Sequence, residues 1–122
     1  MRVLVVEDNE DNLALVTFIL RSHGHEVLPA LSGREGLELV RAHQVDLVLL
    51  DIQLPDMDGQ IVAQKIRQSA KYDHVPIAAV TSYAMSGDRE KLLAAGCDGY
   101  IEKPIDPETF MAEIQDAMGA RR

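Results

Sequence analysis

The chain has 122 residues, 47% hydrophobic and 26% charged, the composition of one ordinary globular unit. Its net charge of −8, from 12 basic and 20 acidic residues, argues against a direct grip on nucleic acid, which needs clustered Lys and Arg. The single cysteine, Cys97, rules out an internal disulfide, and no apolar run approaches the ~20 residues that cross a bilayer.

The opening MRVLVVED has the wrong pattern for a signal peptide, so a cytoplasmic protein is expected. Arg2–Val6 is continuous and β-branched and predicts a strand. From Asn12, the residues Leu13, Val16, Phe18, Ile19 and Leu20 recur at helical spacing, and Gly24 supplies the stop. Glu26–Ala30 predicts a second strand, confined to an edge because Pro29 cannot donate to a ladder. Ser32 with Glu35 is a capping-box pattern that opens a helix carrying Leu37, Leu39 and Val40.

Asp46–Leu50 predicts the third strand, Pro55–Gly59 (PDMDG) a turn, and Ile61, Val62 and Ile66 the third helix. Pro76–Thr81 is the fourth strand. Ser86 and Asp88 open a helix through Leu92 and Leu93 that Gly96 closes. Gly99–Lys103 is the fifth strand. Asp106 as N-cap with Pro107 behind it starts the last helix, whose stripe Phe110, Met111, Ile114 and Met118 reads as core.

Strands alternating with helices imply right-handed crossovers and a parallel sheet covered on both faces. With the second strand at an edge, the order 2-1-3-4-5 fits best. The expected fold is a doubly wound, flavodoxin-like (βα)5 domain over residues 1–122.

In such sheets ligands bind at the carboxyl ends of the strands, beside the switch point. Those ends read Glu7-Asp8, Asp51, Thr81-Ser82 and Lys103-Pro104. Each has a plain alternative reading taken alone. Asp8 or Asn9 is a helix cap, Asp51 a strand terminator, Thr81 a β-former and Lys103 a solvated end. Their convergence on one rim is the signal. Unit charges 4 Å apart repel by ~1 kcal/mol in water and roughly 4 at a surface-like dielectric, so three carboxylates call for a counter-ion. Hard oxygen donors suit Mg²⁺, which keeps positions open for phosphate oxygens. Thr81 and Lys103 would supply a donor and positive charge to a phosphoryl group, and Asp51 would be its nucleophile.

The stretches VVEDN (5–9), LVLLDIQLPDMDG (47–59), TS (81–82) and GYIEKPI (99–105) together resemble the receiver domain of two-component response regulators. The stretch from Thr81 to Asp106 looks closest to single-domain regulators of the DivK kind and to receivers attached to hybrid kinases. The resemblance implies a signalling switch that accepts a phosphoryl group on Asp51 from a histidine kinase or histidine phosphotransferase. It promotes only its own phosphorylation and dephosphorylation. Asp8, Asp51 and the Gln53 backbone carbonyl would ligate Mg²⁺, with Glu7 acting mainly through water. Thr81 and Lys103 would hold the phosphoryl oxygens, and Thr81 and Tyr100 would form the switch pair. The Lys103-Pro104 bond would be cis. A downstream protein would dock on the face made by helix four, strand five and helix five. Gln53 and Tyr83 depart from the commoner residues at positions that flank the path of hydrolytic water, so they would set the phosphoryl lifetime.

The remaining signals point to less. DMDG has its glycine too early for a calcium loop, and turn is the better reading. His23, His25, His43 and His74 lack metal spacing and read as surface, and Cys97 reads as a buried small hydrophobe. An aspartyl-nucleophile phosphatase would need an acid where Gln53 stands. A flavin carrier would need a phosphate loop where the acidic EDNED (7–11) lies, and more than 4% aromatic residues.

Overall fold

Pro29 lies opposite Val5 in a strand that has a neighbour on one side only, where its missing N–H costs no ladder bond. The computed structural model describes residues 1–82 and 86–121, with side chains for all of these except 86–88. The strands β1 (Arg2–Val6), β2 (Glu26–Ala30), β3 (Leu47–Asp51), β4 (Ile77–Thr81) and β5 (Gly99–Glu102) form one sheet in the order β2-β1-β3-β4-β5. Every pairing is parallel. Between and after them run α1 (Glu10–Ser22), α2 (Gly33–Ala42), α3 (Gly59–Arg67), α4 (Ser86–Ala94) and α5 (Phe110–Gly119). This is the doubly wound, flavodoxin-like arrangement that the strand–helix rhythm predicts.

Alternation along the buried strands divides the core in two. Leu4, Val6, Val48, Leu50, Ile77 and Ala79 face the inner sides of α2, α3 and α4. Val3, Val5, Leu47, Leu49, Ala78 and Val80 face α1 and α5, where Phe110 and Ile114 are wholly buried. Helix starts are satisfied locally: Asn9, Ser32 and Asp58 accept the N–H groups of Asn12, Glu35 and Gln60. Gly24 and Gly96, with φ of +83° and +106°, close α1 and α4. In each case the next residue's N–H returns to the carbonyl of Leu20 or Leu92.

Several expectations are corrected. Phe18 belongs by spacing to the apolar face of α1, yet it is 71% exposed, because the buried stripe is carried by Val16, Ile19 and Leu20. Asp46 precedes β3 rather than opening it. Its carboxylate accepts the Arg2 N–H at 2.7 Å, and its own N–H donates to the Arg2 carbonyl. Regular α5 begins at Phe110, four residues after Asp106. Asp106 nonetheless accepts the Glu108 N–H at 3.0 Å, as a cap would. A 3-10 turn at Ala70–Tyr72 was not predicted. His25 is half-buried, its Nδ1 lying 3.2 Å from the Met1 amine, while the other three histidines are at the surface. Cys97 is buried as expected, and burial first, then the Asp98 charge, pushes its thiol up to about 12. The capping roles expected of the Ser86 and Asp88 side chains lie outside the described residues. No helix among the described residues is long and apolar enough to cross a membrane.

An ion network closes the end of the sheet opposite the carboxyl ends of the strands. Arg67 donates to Asp98 Oδ2 at 3.0 Å and to the carbonyls of Gly96 and Tyr72. The same Asp98 oxygen accepts the Ile77 N–H, and Oδ1 accepts from Arg121 at 3.2 Å. Removing one partner of a buried pair strands the other's charge. Asp98→Ala is therefore expected to lower unfolding free energy by about 3–5 kcal/mol in urea titration. Loss of the exposed Arg34–Glu38 pair by Arg34→Ala should cost under about 0.5 kcal/mol.

Candidate functional site

Strand register brings the polar strand ends to one rim. Val6 lies opposite Leu50, so Glu7 comes level with Asp51. Asp51 lies opposite Val80 and Thr81 opposite Glu102, so Thr81 and Lys103 each stand one step further along the twisted sheet. Glu7 and Asp51 are 4% exposed and Thr81 is 3%, whereas Asp8 is open to solvent. Val5, Val16, Leu49 and Val80 wall a small apolar space of about 10 Å³ against the two buried acids.

One ammonium group serves both buried acids. Lys103 Nζ lies 2.9 Å from Glu7 Oε1 and 3.2 Å from Asp51 Oδ2. Asp51 Oδ1 accepts the Gln53 N–H at 3.0 Å, and Glu7 Oε2 accepts the Asn9 N–H at 3.3 Å. Carboxylate oxygens of Glu7, Asp8 and Asp51 lie within 4.8 Å of one another. Such a set of hard oxygen donors suits a divalent cation. It also settles the choice between Asp8 and Asn9: Asn9 caps α1, leaving Asp8 at the rim.

Burial pushes the Asp51 carboxyl up to about 6, reinforced by the hydrogen bond to Glu7 and its charge; the Gln53 N–H and Lys103 pull the other way without prevailing. Burial alone would lower Lys103, but the hydrogen bonds and charges of Glu7 and Asp51 outweigh it and raise its pKa. The ammonium is thus firmly held, and the acid cluster is only partly neutralised.

The other expected residues are distributed as follows. Thr81 is buried at the end of β4, and its carbonyl accepts the Lys103 N–H at 2.8 Å. Gln53 follows β3 with its side chain at the surface. The Lys103-Pro104 bond is cis. Tyr100 lies away from the acids, 36% exposed on β5, with the Arg89 guanidinium 5.9 Å from its ring centre. It borders a cavity of about 310 Å³ between α4, β5 and α5, lined also by Leu93, Glu113 and Asp116. Tyr83 lies outside the described residues. Gly59, read from sequence only as part of a turn, proves to support the site. A Cβ there would sit 2.5 Å from the Asp51 carbonyl oxygen, so only glycine lets α3 start against the backbone of that residue.

A doubly wound parallel sheet thus carries a buried aspartate, flanking acids and a lysine at its carboxyl rim. The family model for the response regulator receiver domain matches residues 3–115, and the chain belongs to that family. It is 40% identical over 117 residues to the polar-differentiation response regulator DivK of Brucella ovis, covering 96% of this chain and 95% of that protein. The receiver domain of sensor histidine kinase PA1611 from Pseudomonas aeruginosa, solved with magnesium coordinated in its active-site cleft, superposes with a TM-score of 0.87. It is 33% identical, with 97% of each chain covered. The receiver domain of Ssk1, solved in complex with the Saccharomyces cerevisiae histidine phosphotransfer protein Ypd1, gives a TM-score of 0.88. It is 29% identical, with 98% of this chain and 89% of that one covered.

The raised carboxyl of Asp51 makes a stability prediction. The folded state holds its proton more tightly than the unfolded state. Metal-free protein therefore loses stability as pH rises from the ordinary 3.8 through about 6. Asp51→Asn removes that loss. Urea unfolding without divalent cations should find the variant about 1–3 kcal/mol more stable than wild type at pH 7.5, and equal to it below the unfolded carboxyl's range.

Proposed function

We propose that this receiver is a phosphorylation-dependent switch of a two-component or phosphorelay system, with residues 1–122 acting as one domain. Asp51 takes a phosphoryl group from a phosphohistidine on a histidine kinase or histidine phosphotransferase. The observation that carries this reading is the buried Asp51 carboxylate, held at one oxygen by Lys103 and at the other by the Gln53 N–H, beside two further acids. The phosphotransfer partner of the Ssk1 receiver and the magnesium in the PA1611 receiver support it by similarity.

In the reaction one Asp51 oxygen bonds to phosphorus as the phosphorus–nitrogen bond breaks, and the imidazole nitrogen keeps the electron pair. Mg²⁺ fits the donor set, and when bound it would supply positive charge that offsets the acids and the phosphoryl oxygens. Asp8, Asp51 and the Gln53 carbonyl would hold it directly. Glu7, buried and already paired with Lys103, would act through water. Lys103 and Thr81 receive the phosphoryl oxygens. Transfer draws Thr81 toward the new group and Tyr100 inward, which changes the α4–β5–α5 face that a downstream protein reads; only contacts that differ between two states can shift their populations. Gln53 and Tyr83 govern the access of hydrolytic water and so the lifetime of the acyl phosphate. The chain is no enzyme toward other substrates, and its place is the cytoplasm.

Incubation with a small phosphodonor and Mg²⁺ should add one phosphoryl group, located to Asp51 by peptide mass spectrometry and lost on chelation of the metal beforehand. Asp51→Ala should take up none. Uptake by that variant at the wild-type rate would overturn the proposal.

A further inference from the structure

The segment between Asp51 and α3 is tied at both ends. At its base the Gly59 N–H donates to the Ile52 carbonyl at 2.8 Å, and Gln53 pairs with Asp58 as an isolated antiparallel bridge. At its tip the Asp56 carboxylate crosses to the start of α2. Oδ1 accepts the Gly33 N–H at 2.8 Å and Oδ2 accepts the Arg34 N–H at 2.9 Å. These are two helix-start donors that the cap Ser32 leaves over, since its hydroxyl takes the Glu35 N–H. The next residue, Met57, packs against the core, and so closely on α2 that a Cβ at Gly33 would fall 2.6 Å from its Cγ.

We infer that Asp56 is a positioning residue for the site: by bridging the loop tip to α2 it holds the Gln53 peptide against the Asp51 carboxylate. This rests on the roles given above to Asp51 and the Gln53 carbonyl. The Gln53 N–H meets Asp51 Oδ1 while the Gln53 carbonyl opens the next peptide unit, so the path of the loop beyond Gln53 decides where that carbonyl is offered relative to the phosphoacceptor. Gln53, Pro55, Asp56 and Asp58 are exposed, so packing of their own side chains contributes little to that orientation. The bonds at the base join the two ends of the segment, and at its tip Leu54 and Met57 pack against the core while the Asp56 carboxylate ties the backbone between them to α2. A carboxylate suits this pair because each N–H meets its own oxygen, whereas an asparagine would turn an NH2 donor toward one of them. The Arg34 and Gly33 N–H groups hold the Asp56 carboxyl below its ordinary range, which keeps it ionised and able to accept both.

The test compares wild type with Asp56→Asn and Asp56→Ala, using amide resonances to follow Mg²⁺ titration and, in metal-free protein, hydrogen exchange. Mg²⁺ affinity should fall about tenfold in both variants, the low end of the cost of losing a support of metal ligands. Exchange of the Gln53 amide should accelerate without metal. Unchanged Mg²⁺ affinity, with faster exchange confined to Gly33 and Arg34, would mean that Asp56 only caps α2 and would overturn the inference. A wild-type protein that binds no Mg²⁺ would instead overturn the reading of the site, and Gln53 exchange would then decide the role of Asp56 alone.

Discussion

The Lys103 ammonium, shared between Glu7 and Asp51, is the contact on which the site depends. Two carboxylates removed from water and set side by side are costly. Lys103 offsets part of that cost from the end of a strand two places away from β3 in the sheet. It reaches because the parallel register steps along the sheet: the end of β4 stands one residue past that of β3, and Lys103, following β5, one residue past that of β4. One ammonium against three acids leaves the rim short of positive charge. A divalent cation fits that shortfall.

Around this contact the backbone is fixed with little slack. Gly59 lets α3 begin directly against the Asp51 carbonyl, and Asn9 both caps α1 and donates to Glu7. Both helices that follow acid-bearing strands are thus anchored to the acids of the rim. At the other end of the sheet, the Arg67–Asp98–Arg121 network joins α3, the loop before β5 and the end of the chain. One end of the sheet thus sets two arginines against one buried aspartate, and the other sets one lysine against three acids.

Much of this is legible in the sequence because parallel strands are buried on both faces and read as unbroken apolar runs. Pro29 marks the edge, and the strand ends align because the strands are of nearly equal length. What sequence periodicity does not carry is contact across distance. Phe18 fits the apolar spacing of α1, but the face that meets the sheet is made by Val16, Ile19 and Leu20, with Leu13 and Leu15 beside them. Asp98 reads as an ordinary polar residue before a strand, and its burial becomes visible only when Arg67, 31 positions earlier, arrives beside it. Asp56 is likewise a turn former by type, and its bonds to Gly33 and Arg34 cross 23 and 22 positions. The acid cluster was legible as a set, but the sharing of Lys103 between Glu7 and Asp51 follows from register and twist.

Burial and Glu7 raise the Asp51 carboxyl to about 6, and a bound cation would lower it again. Carbon-detected NMR of the Asp51 side chain across pH, with and without Mg²⁺, measures this directly. The account predicts a carboxyl that titrates near 6 in metal-free protein and stays ionised to much lower pH when Mg²⁺ is present. A carboxyl that titrates near the ordinary 3.8 without metal, and does not respond to Mg²⁺, would contradict it.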